Sequence, residues 1–376
     1  MNYGFWNNLK QPIIGLSPMD GVTDAAFRYI CDKYGKPAVL FTEFTSVEGI
    51  TRGAVKILHA FIYHKSSTPT VAQIYGSSPK SFYDATFVVC EMGFDGIDIN
   101  MGCPDHNISK RGSGAALIRT PQIARKIIKA VKKATKDYFE GKKIEDTDLP
   151  EEIIFSVKKF KDSRHAELVS ASKNGSRNPL RSEASIFGMT NNLNDNKRKH
   201  LPVSIKTRIG YDLVVTENWI KDILETEPVA ISIHGRTLQQ MYTGKADWEE
   251  IGKAAEIVKK TKTLIFGNGD VKSIEEAKTK AQKYGLDGVL IGRATFGNPW
   301  IFQNHIPTNR ERIDVALEHC EVFTKLIPNG HFPSLRKHLA WYTKGIPGSN
   351  ELRNKLMRVN NIEEVRSILL PIIESQ

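Results

Sequence analysis

The chain has 376 residues, of which 40% are hydrophobic and 25% charged, enough for one large globular domain and a smaller one. No run of about 18 apolar residues occurs, and the opening MNYGFWNNLKQP lacks the basic and apolar regions of an export signal, so a cytoplasmic, membrane-free protein is expected. A formal charge of +11 favours a polyanionic partner without by itself requiring one. Cys31, Cys90, Cys103 and Cys320 form neither a CxxC knuckle nor an iron–sulfur run, so reduced thiols and no metal site are expected.

Taken in chain order, eight short β-branched or apolar runs read as strands. The first is PIIGLSP (12–18), leading into Pro18 and Met19. VLFTEF (39–44) and TVAQIYG (70–76) follow, the latter carrying Gln73. GIDINMG (96–102) runs into Asn100 and Cys103. PQIARKIIKAVKKA (121–134) has helical periodicity, and from about 137 to 200 the chain turns polar and irregular. Strands resume with VSIKTR (203–208), ending in Lys206 and Arg208, and VAISIHG (229–235), ending in His234. TLIFGNG (263–269) delivers Asn268, Gly269 and Asp270; the helical SIEEAKTKAQKYG (273–285) separates it from GVLIGR (288–293), which delivers Gly292 and Arg293. Beyond about 308 only helical patterns remain.

Near-continuous apolar strands alternating with helices indicate a parallel sheet covered by helices, and eight units over roughly 250 residues indicate an α/β TIM (β/α)8 barrel. A doubly wound sheet is the competing fold, but no GxGxxG follows the first strand. The expected division is a barrel over 1–307 and a small all-helical domain over 308–376. The 137–200 insertion, between the fourth helix and fifth strand, should leave the barrel at the face opposite the usual active site. One ambiguity concerns the fifth strand: IFSVK, ending at Lys158, imitates VSIK, ending at Lys206, though the following TRIGYD and the spacing favour Lys206.

The residues at the strand C-termini are nearly all polar, titratable or glycine, as a barrel active site requires. Glycines in GNGD and GRATFGNPW let backbone amides approach a phosphate, with Arg293 as a further donor, although simple turns would also explain each glycine. A cation at Lys206 suits negative charge developing on a ring; His234 could donate a hydrogen bond or be a satisfied buried imidazole. Cys103 sits between Gly102 and Pro104, in a turn. No metal ligands surround it, and Asp105 disfavours a thiolate. A neutral thiol in that position can give a proton.

INMGCPDHNISKRGSGAALI closely resembles the signature of the tRNA-dihydrouridine synthases, most like the bacterial B-type branch. PIIGLSPMDGVTDAAFR, Gln73, KTRIGYD, IHGRT, NGD, GRATFGNPWIF and RKHLAWYTKG follow in that family's order, covering the chain except 137–200. The resemblance implies a flavin-dependent oxidoreductase of the CH–CH type. It holds FMN, takes electrons from NADPH or NADH, and reduces the C5–C6 bond of a uridine flipped out of tRNA. It implies that Cys103 protonates C5; that Ser17, Pro18, Met19, Gln73, Lys206 and His234 contact the flavin ring; and that Asn268, Gly269, Asp270, Gly292 and Arg293 hold the ribityl phosphate. Asn100 is expected to face the uracil, with Lys110, Arg111, Arg336 and Lys337 meeting RNA and Trp341 and Tyr342 interleaved in the basic tail of a monomer. Ser17 departs from the family's usual alanine. Two further readings stay open: an FMN barrel acting on a free small molecule, like dihydroorotate dehydrogenase, and an inactive RNA-binding paralogue.

Overall fold

Among the described residues, eight strands form where β-branched and apolar runs stand between turn residues: β1 (Ile13–Leu16), β2 (Leu40–Ser46), β3 (Thr70–Tyr75), β4 (Gly96–Met101), β5 (Val203–Gly210), β6 (Ala230–Thr237), β7 (Leu264–Asn268) and β8 (Gly288–Ile291). The structure is a computed structural model that describes residues 2–63, 66–161 and 198–374. Every ladder is parallel, in the order β1-β8-β7-β6-β5-β4-β3-β2. The two outer strands meet through the Ala38 amide on the Ile14 carbonyl at 2.9 Å and the Leu16 amide on the Val39 carbonyl at 3.0 Å, which closes the barrel. Trp6, on an N-terminal 3-10 turn, fills the N-terminal mouth beside Ile13, Phe41, Val71 and Phe266.

The helices of the barrel layer are α1 (Ala25–Gly35), α2 (Val47–Thr51), α3 (Pro79–Met92), α4 (His106–Lys110), α5 (Pro121–Phe139), α6 (151–161), α7 (Thr216–Leu224), α8 (Trp248–Val258) and α9 (Ile274–Tyr284). Their ends are chemically marked. Ser78 and Pro79 open α3 and left-handed Gly93 closes it; Ser273 and Gly285 do the same for α9.

The irregular stretch expected from 137 is shorter than its composition suggests. α5 runs on to Phe139, and α6 buries Ile153 and Val157 in the core beside Leu149 and Ile144. Lys158 lies on this helix and pairs with Glu145, so the fifth strand is the one that carries Lys206. The remaining part of that expectation, 162–197, lies outside the described residues.

The tail is helical throughout: α10 (Asn309–Leu326), α11 (Arg336–Tyr342), α12 (Ser349–Leu356) and α13 (Ile362–Glu374). A Thr308–Glu311 capping box starts α10. The tail has its own apolar core and shares it with Ala25, Ala26 and Ile30 of α1 and with Trp300. It therefore packs against the first βα unit and the loop after β8.

A candidate active site at the C-terminal mouth of the barrel

The loops after the strands surround one cleft of about 1510 Å³. Ser17, Pro18, Met19, Gln73, Asn100, Cys103, Arg111, Lys206, His234, Asn268, Gly269, Asp270, Gly292 and Arg293 all line it. Sequence positions spread over nearly 280 residues converge because each ends a parallel strand.

A hydrogen-bonded chain on β3, β4 and β5 builds the floor. Ser204 Oγ donates to Asp98 at 2.6 Å, Gln73 Nε2 donates to the other Asp98 oxygen at 2.7 Å, and Asn100 Nδ2 donates to Gln73 Oε1 at 2.9 Å. Asn100 Oδ1 then accepts from the amides of Gly102 and Cys103 at 3.0 and 2.8 Å. Asn100, expected to face the uracil, thus directs its side chain largely into shaping the Cys103 turn. Asp98 is buried at the origin of this chain; burial raises its carboxyl to about 6, against its two hydrogen bonds and the Lys206 charge.

The turn itself explains the glycines around Cys103. A Cβ at Gly102 would press on the Thr207 backbone, and left-handed Gly114 brings its chain against the Cys103 carbonyl, where a Cβ would come within 3.0 Å. Arg208 Nε donates to the Gly102 carbonyl at 2.6 Å. Cys103 is only 7% exposed. Burial, more than the nearby Asp105 and Asp20 carboxylates, lifts its thiol to about 11, although the Asp105 amide and Arg208 oppose the rise. The group is therefore a neutral S–H at pH 7.

Lys206 is half-buried beside this turn, and its ammonium has no hydrogen-bond partner among the described residues. Burial and then the Arg208 charge lower its ammonium to about 8. His234 is held well below its usual range by burial and by the charges of Lys206, Arg208, Arg236 and Arg293. Arg236, not singled out from the sequence although it stands in IHGRT, is 1% exposed. Its guanidinium reaches His234 Nε2 at 3.2 Å and Asp270 Oδ2 at 2.6 Å. Asp270 Oδ1 takes Arg293 at 2.6 Å. Against the upward push of burial, these bonds, the Ala246 amide and the two positive charges hold Asp270 below the ordinary carboxylate range. A carboxylate so occupied aims the arginines rather than meeting a phosphate itself. Arg293 stays half exposed, with donors to spare beside Gly292.

These residues fit a flat ring with a phosphate-ended tail. Gly269 has φ +130°, and a Cβ there would fall 2.6 Å from Ala246 Cβ and 3.0 Å from the His234 ring. A Gly292 Cβ would meet Met19 Sδ at 3.3 Å. Thr45 Oγ1, buried in the lining, has no hydrogen-bond partner among the described residues. Such an unmatched group is costly unless a ligand pairs with it.

The expected RNA contacts divide. Lys110 and Arg111 are exposed on and just after α4, at the rim. Lys337 extends from α11 to the loop after β1, its ammonium 3.0 Å from where a Gly21 Cβ would stand and close enough to act on Asp20 and Asp24. Arg336 is instead tied into the tail, donating to the carbonyls of Val359 and Arg358 and to Asn360 Oδ1. Tyr342 is fully buried, and Trp341 stacks flat on Phe296 with ring centroids 3.9 Å apart, so these aromatics serve packing. Tyr242, at 60% exposure, is an apolar surface at the mouth that motif reading passed over.

Residues 15–144 and 171–375 match the family model described as dihydrouridine synthase (Dus). A probable tRNA-dihydrouridine synthase of Staphylococcus aureus (strain COL) is 31% identical over 382 residues, spanning 98% of this chain and 95% of that protein. The probable tRNA-dihydrouridine synthase 2 of Bacillus subtilis (strain 168) is 30% identical over 379 residues, with 98% and 96% covered. Among solved structures, histamine dehydrogenase from Rhizobium sp. 4-9 aligns with a TM-score of 0.45 and 11% identity, over 84% of this chain and 49% of that one.

Proposed function

The chain belongs to the dihydrouridine synthase family, and we propose that its cleft reduces the C5–C6 double bond of uridines in tRNA, using FMN and NADPH or NADH. Bound FMN, once reduced by the nicotinamide nucleotide, supplies the hydride that goes to C6. The observation that carries the reading is the neutral, buried Cys103 thiol in the same cleft as a lysine unpaired among the described residues. A hydride at C6 leaves an electron pair at C5, and Cys103 Sγ–H completes the addition by giving C5 a proton. Lys206 places a positive charge where the ring system is most negative. Gln73 and His234 offer donors to ring heteroatoms, while the Gly269 and Gly292 backbones and Arg293 suit a phosphate. Folded RNA hides its bases, so the target must be extruded into the cleft, and exposed Lys110 and Arg111 suit the backbone beside it.

The test is to incubate the purified protein with FMN, NADPH and tRNA lacking dihydrouridine. A mass gain of two hydrogens at discrete uridines is expected. Equal activity on free uridine would contradict a tRNA enzyme, and a colourless protein that takes up no FMN would contradict the flavin reading.

A further inference from the structure

A guanidinium carries only donors, so a nitrogen facing it must present a lone pair. Arg236 faces His234 Nε2 in this way. Its own position admits little freedom. It is buried, and beyond His234 it donates to the carbonyls of Thr243 and Gly244 at 3.1 and 2.7 Å and to Asp270 at 2.6 Å. The Nε2 edge of the imidazole is also the one covered by the Gly269 backbone. Nδ1 has no hydrogen-bond partner among the described residues, and His234 lines the cleft.

We propose that Arg236 is a positioning residue that fixes His234 as the neutral Nδ1–H tautomer, so that the imidazole offers the flavin a donor. The same Asp270 carboxylate that steadies Arg236 also holds Arg293. One side chain on the loop after β7 thereby sets the hydrogen bonding at the ring end and the guanidinium at the phosphate end. The reduced ring carries added negative charge, so a fixed donor favours it more than a rotating or acceptor nitrogen would.

The inference rests on the flavin reading, and the two are separable. Histidine-15N-labelled, FMN-loaded protein is examined by two-bond nitrogen–proton correlation, with His234→Asn identifying the resonance. The expected pattern is a protonated Nδ1 and a bare Nε2 that do not titrate from about pH 6 to about pH 8. An Nε2–H tautomer or an imidazolium would overturn the proposal. In Arg236→Met, an Nε2–H population should appear, and FMN should bind about tenfold more weakly, the loss of one well-placed hydrogen bond. An unchanged tautomer in that variant would also overturn it. Should the variant not fold, the wild-type spectrum still decides. Failure of wild type to take up FMN would count against the flavin reading instead, since the tautomer can be read in the FMN-free protein.

Discussion

Two titrating groups with opposite jobs stand side by side in the cleft, and their environments push them apart. In the proposed reaction Cys103 keeps its proton until C5 needs it, and burial holds the thiol at about 11. The role proposed for Lys206 needs its charge, yet burial and Arg208 lower its ammonium to about 8. Raising the pH therefore removes the lysine charge first. Single-turnover reduction of tRNA uridine should decline through about pH 8 in wild type, and Lys206→Arg should be slower but lack that limb. A profile flat up to pH 9 in wild type would argue against the role given to Lys206. Alkylation of Cys103 by iodoacetamide should be slow at pH 7 and accelerate only toward about pH 11; fast labelling at neutral pH would indicate a thiolate.

At the scale of elements, all eight strands were legible, because a buried parallel strand is an apolar run bounded by turn residues and nothing else in this chain imitates it for long. The exception is IFSVK, whose β-branched residues suggest a strand. Pro150, Glu151 and Glu152 open it as a helix, and Ile153, Ile154, Val157 and Phe160 repeat at helical spacing, so α6 forms instead. That the strand-end residues, Cys103, Lys206 and His234 among them, would line one cleft was legible by position. Asp98, Arg208 and Arg236 were not assigned roles, because those roles depend on partners on other strands or loops. Trp341 looked like an RNA contact for the same reason: its partner, Phe296, is 45 positions away in the chain. That stack joins α11 to the loop carrying Gly292 and Arg293. Gly297, with φ +67°, lies so close beneath α11 that a Cβ would run into the Trp341 carbonyl. Gly297→Ala should cost on the order of 1–3 kcal/mol in urea unfolding; an unchanged midpoint would show that this docking is not tight.

For the whole molecule, a basic chain, a cleft open at one end of the barrel and a helical tail docked beside that opening fit one large polyanion better than a small substrate. The tail's cations are not equivalent. Lys337, beside the loop after β1, should contribute to tRNA affinity, so Lys337→Ala should lower the salt slope of binding by about one. Arg336→Ala should leave that slope alone and lower unfolding stability, because its guanidinium ties α11 to the carbonyls that follow α12. The reverse result would reassign both. We propose that Cys103 donates the proton that completes uridine reduction. It is tested most directly by mass mapping of dihydrouridine in tRNA treated with wild type and with Cys103→Ala, each loaded with FMN and reduced. Cys103→Ala should keep its flavin and lose product by about 100-fold or more; full product from that variant would rule out the proton-donor role.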